Sequence, residues 1–163
     1  MAFQGEHFAR YGEEMAKRAP PVTRMLGAGI PVGARSDSTR VSAYNPWGVI
    51  HWLVTGKTVG GTQLYPRGNL LSGTEALRLM TTANAWFSAE ETKKGSISVG
   101  KLADLAVLSL DYFEVPEERI IDIRSVLTIV GGKVVSAASE FSKLSPPSLP
   151  VIPRWSPIAI SGL

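Results

Sequence analysis

The chain has 163 residues, 44% hydrophobic and 19% charged, and its 17 Lys and Arg against 14 Asp and Glu leave a net charge of +3. That length suits one medium domain with its own core and excludes a complete (β/α)8 barrel, which needs about 200–250 residues or more. A mild charge without basic runs gives no case for nucleic acid or an anionic membrane, and the absence of cysteine excludes disulfides, thiolate metal sites and cysteine nucleophiles, so any metal must sit on nitrogen and oxygen.

In chain order, residues 9–18 (ARYGEEMAKR) are good helix formers that stop before Pro20-Pro21. A short helix restarts at Val22 and ends at Gly27 or Gly29. Ile30 to Ala34 then reads as a short buried strand running into the polar turn Arg35-Ser36-Asp37-Ser38-Thr39. Helix, strand and polar loop in that order belong to α/β architecture, where chemistry gathers at the carboxyl ends of strands. From Asn45-Pro46 a helix is expected with an apolar face through Trp47, Ile50, Leu53 and Val54, ended by the glycines from Gly56 to Gly61. Ser72-Gly-Thr-Glu75 is a capping box opening a helix that carries Ala76, Leu77, Leu79, Met80, Ala83 and Trp86.

After Lys93-Lys94-Gly95 the period changes. Residues 96–99, 103–109, 125–130 and 133–137 read as strands, the last two joined by a Gly131-Gly132 hairpin turn. Beyond Ser139, five prolines make an extended tail. The division expected is 1–92, 93–139 and 140–163. No stretch approaches about 18 uninterrupted apolar residues, and MAFQGEHFAR lacks the basic-then-apolar order of a signal peptide, so a cytoplasmic protein without membrane spans is expected.

Several motifs fail on spacing or setting. Gly56-Lys57-Thr58 lacks the first glycine of a phosphate loop and ends a helix instead of opening one. The histidines, His7 and His51, have no second imidazole at ligand spacing, and His51 reads as a helix residue packed between Ile50 and Trp52. Ser36 and Ser38 have no nucleophile-elbow setting. Asp37 stands just past an apolar strand, where a carboxylate can hold a metal or accept a proton. Asp followed by Ser and Thr is equally a turn residue, and the pattern leaves both readings open.

"GIPVGARSDSTRVSAYNPWGVIHWLVTGKTVGG", "GTEALRLMTTANAWFSAEETKKGSISVGKLADLAVLS" and "VLTIVGGKVV" together resemble the C-terminal part of metal-dependent amidohydrolases, in the branch of the N-substituted formamide deformylases. The likeness covers nearly the whole chain. It implies an α/β fold: the last elements of a (β/α)8 barrel followed by part of a small β-sandwich. It also implies hydrolysis of a small-molecule amide or formamide by water activated on a divalent metal, with zinc the expected ion. Asp37 matches the family aspartate at the end of the last barrel strand, both metal ligand and general base and acid, and Tyr44, Asn45 and Trp47 are then expected to line the substrate pocket. Arg35 departs from the family, which usually has glycine there.

The family's His-x-His pair and later metal histidines match nothing in this chain, which is therefore expected to be a C-terminal piece. Alone it should neither hold the metal tightly nor turn over substrate, since a catalytic zinc site takes three protein ligands. Exposed barrel surfaces should favour self-association. The rival expectation is a non-catalytic β-rich interaction module descended from such a hydrolase.

Overall fold

A computed structural model of the chain describes residues 5–16, 18, 20–37 and 44–147. The architecture is α/β: a helical half followed by a small antiparallel sheet. Helix α1 (Gly5–Ala16) is kinked at Gly12, and α2 (Val22–Gly27) follows Pro21, as the proline pair requires.

Helix α3 (Pro46–Thr55) is the centre of the molecule. Asn45 caps it through Oδ1, which accepts from the Trp47 amide at 3.1 Å, and Pro46 takes the first position, where a missing N–H costs nothing. Gly56 closes it in the left-handed region at φ 72, and its Cα lies so near Gln63, Tyr65 and Leu70 that an added Cβ would sit 2.6–2.9 Å from their side chains. Only glycine meets both demands. More than the expected stripe is buried: Gly48 and every residue from Ile50 to Thr55, His51 among them.

Around α3 the core gathers Val22 of α2, Tyr65, Leu71, Ala76 and Leu79, together with Tyr112, Ile120 and Ile123 from the connection leading into the second sheet strand. Trp52 lies tilted on Tyr65 with ring centroids 4.4 Å apart, and the Tyr65 hydroxyl donates to the Pro20 carbonyl. Burial holds that phenol well above its ordinary pKa.

The capping box forms as read: Glu75 N–H donates to Ser72 Oγ, and Ser72 N–H donates back to the Glu75 carboxylate at 2.9 Å. The single helix expected from it is instead two, α4 (Gly73–Met80) and α5 (Thr82–Phe87), broken at Thr81. Thr81 and Thr82 turn their hydroxyls onto the carbonyls of Leu77 and Arg78 four residues back, a contact that bends helices.

The sheet has the order β1 (Leu105–Leu108), β2 (Ser125–Val130), β3 (Lys133–Ala137). Gly131 and Gly132 make the β2–β3 turn with φ 56 and 78, the paired positive values a tight hairpin needs. Leu105 faces Ile129 and Val107 faces Leu127, and the β2–β3 register slips between Thr128 and Ile129. Leu108 and Leu110 pack on the core, while Leu105 and Val107 remain exposed.

Three further expectations need correction. Residues 30–34 are extended but unladdered: the Ala34 amide donates to Leu79 of α4 at 3.0 Å and Asn84 Nδ2 donates to the Ala34 carbonyl at 2.8 Å. A strand requires a neighbouring strand, and here helices supply the partners. Residues 96–99 are turn and loop with Ile97 and Val99 exposed, and the loop is tied by Lys101 Nζ donating to the carbonyls of Glu91 and Lys94. In the tail, Ser139–Leu144 is a 3-10 helix packed on β2 and β3. Residues 148–163 lie outside the described residues.

Candidate functional site

Asp37 ends the extended segment that α4 and α5 hold in place. Its φ is 59, a left-handed conformation that aspartate tolerates better than most residues. The Arg35 guanidinium meets its carboxylate at 2.6 Å, with both side chains largely exposed. Arg35, the bulky cation expected to depart from the family pattern, is thus the side chain that pairs with the candidate carboxylate.

The other three expected site residues separate in role. Tyr44 is exposed. Asn45 spends its side-chain oxygen on the α3 cap, and Trp47, half-buried, lies tilted on Tyr112 with centroids 5.8 Å apart. Residues 38–43, which connect Asp37 to this group and include Ser38, lie outside the described residues. Among the described residues no three His, Asp or Glu side chains come together in a way that could hold a metal ion. A divalent ion therefore does not fit the described residues by themselves.

Tyr112, which sequence reading did not single out, and Lys57, which it met only in a failed phosphate-loop pattern, matter to the electrostatics. Tyr112 donates to the Gly73 carbonyl at 2.8 Å, and burial, reinforced by Glu117, pushes its phenol up to about 12. Nothing in the aperiodic stretch around Tyr112 marks it beyond its being aromatic. The Lys57 ammonium stands 3.5 Å from Glu118, beside His51.

A model described as the amidohydrolase family matches residues 1–136 of this chain. An N-substituted formamide deformylase of Arthrobacter pascens is 32% identical over 112 residues, covering 69% of this chain and 20% of the relative. The chain thus spans about a fifth of the length of the curated relative it matches. No solved structure matches it. No helix among the described residues is long and apolar enough to cross a membrane.

Proposed function

The chain belongs to the amidohydrolase family, and from that premise we propose that it supplies the C-terminal part of a hydrolase of carbon–nitrogen bonds, acting on a small-molecule, non-peptide amide or formamide. The observation that carries this reading is the family match across residues 1–136, sharpened by a relative named as a formamide deformylase. Residues 1–92 would contribute the last elements of a barrel and residues 93–139 a β-sandwich segment, in a protein of the cytoplasm.

Asp37 is the proposed catalytic carboxylate. It stands at the end of the segment that α4 and α5 fix, exposed on one side and paired with Arg35 on the other. A carboxylate so placed takes a proton from attacking water and returns it to the leaving nitrogen. Tyr44 is the pocket residue whose side chain is exposed, whereas Asn45 and Trp47 shape the approach by holding the start of α3. The family implies a divalent ion, with zinc the proposed identity. Among the described residues no site for it is assembled, and the Asp37 carboxylate is the contribution proposed from them.

The test is Asp37→Asn in a form that carries the upstream His-x-His pair. Asparagine keeps the size and removes the proton-accepting charge, so kcat should fall by about 10²–10⁴-fold while bound metal falls much less. Near wild-type kcat would make Asp37 a turn residue, and complete loss of metal would make it chiefly a ligand. One observation favours the rival, a non-catalytic β-rich interaction module: Leu105, Val107, Val130 and Val135 leave the sheet partly apolar on its surface. An intact upstream reading frame with the His-x-His pair would decide against that rival.

A further inference from the structure

His51 lies where the helical half meets the sheet half. Helix α3 packs along the 3-10 helix Glu117–Asp122, which leads directly into β2 and carries the buried Ile120, with the fully buried Ile123 just after it. The imidazole is 7% exposed, and its buried Nδ1 has no hydrogen-bond partner among the described residues. Lys57, two residues past the end of α3, reaches across to Glu118 at 3.5 Å, and on the opposing helix Asp122 is engaged by Arg119 at 3.2 Å. Helix α4, also packed on α3, brings Glu75 and Arg78, both exposed to solvent. We propose that α3 and the Glu117–Asp122 helix form an acid-released latch, in which protonation of buried His51 loosens that helix, and the strands it leads into, from the helical core.

A buried imidazole without a partner is tolerated neutral and penalised charged. Burial first, then the neighbouring Lys57 charge, hold the His51 pKa below its ordinary 6.5, against the opposing pull of Glu118 and Asp122. The folded state therefore binds a proton less readily than the unfolded chain. The stabilisation is complete above about pH 6.5 and is lost as the pH falls through the window below it.

Hydrogen exchange read by mass spectrometry tests this on the full chain, which need not be monomeric for the measurement. Wild type and His51→Gln are compared from about pH 7 to about pH 5, the range in which histidine titrates. The wild-type to variant exchange ratio in peptides from Pro46–Thr55 and Glu117–Asp122 should rise progressively as the pH falls, since protonation destabilises only the protein that carries the imidazole. The β2–β3 hairpin, whose amides are protected by its own ladder and so stay protected when it leaves the core, should show a flat ratio, and His7→Gln should keep the wild-type response. A flat ratio at α3 and Glu117–Asp122, or loss of the response in His7→Gln, overturns the latch. Should His51→Gln fail to fold, wild type alone decides: after correction for intrinsic exchange, selective loss of protection in those two peptides at acid pH supports the latch, and uniform protection refutes it.

Discussion

At the scale of single residues, the Arg35–Asp37 pair carries the account of the site. Because both side chains are exposed, the ion pair adds little to stability. Arg35→Gly should accordingly leave the urea midpoint almost unchanged, and a large drop would show that the pair holds the loop. Gly56→Ala should behave oppositely. A non-glycine residue in the left-handed region costs about 1–2 kcal/mol, and here the new Cβ would also press on Gln63, Leu70 and Tyr65. Equilibrium denaturation reads that loss directly, and a variant as stable as wild type would mean that Gly56 is not under conformational demand. Ser72→Ala removes the hydroxyl that accepts from the Glu75 N–H and donates to the Glu75 carboxylate, leaving only the backbone N–H of residue 72 on that carboxylate, and should cost about 0.5–2 kcal/mol. Hydrogen bonds from Ser72 hold the Glu75 carboxylate below its ordinary value of 4.5. The carboxylate's share of that cap is present above about pH 4.5 and lost as the pH falls below it, so the penalty of Ser72→Ala should shrink in acid. These residues were legible in the sequence because caps and turns act through neighbours a few positions away. Asp37 was singled out by resemblance and by its place after an apolar run, whereas its pairing with Arg35 depends on a backbone conformation that the sequence does not display.

At the scale of elements, what the sequence concealed was tertiary. Residues 30–34 and 96–99 have the composition of strands, but strand formation depends on a neighbour with free backbone groups: the first run meets helices α4 and α5, and the second is exposed. The break between α4 and α5 follows from threonine hydroxyls competing for backbone carbonyls, which an apolar periodicity cannot register. The connection between β1 and β2 shows no helical or strand period, yet it supplies Tyr112, Ile120 and Ile123 to the core. Tyr112 ties that connection to the first residue of α4 through the Gly73 carbonyl. Tyr112→Phe should cost about 0.5–1.5 kcal/mol, the usual net worth of one hydrogen bond. It should also change the alkaline limb of the stability curve. With the Tyr112 phenol pushed up to about 12, the folded state keeps a proton that the unfolded chain loses near pH 10, so stability falls as the pH rises from about 10 towards 12. The phenylalanine variant should lose less stability over that range, and an identical decline in both proteins would show that Tyr112 does not contribute to it.

At the scale of the whole molecule, the helical half and the sheet share one core through α3 and the Glu117–Asp122 helix, yet much apolar surface stays uncovered. Ile97, Val99, Leu102, Leu105, Val107, Trp86 and Phe87 are exposed, and β1 is an edge strand. Such a surface promotes association. Sedimentation should show concentration-dependent self-association that added salt does not suppress, whereas a compact monomer with a sharp thermal transition would favour the stand-alone module. The proposed role of this chain is to contribute a catalytic carboxylate to an amidohydrolase without itself assembling the metal centre. It is tested most directly by assaying the purified 163-residue chain for turnover of an N-substituted formamide and for zinc retained after dialysis against a weak chelator. Neither turnover nor stoichiometric zinc is expected, and retained zinc together with turnover abolished by Asp37→Ala would overturn that role.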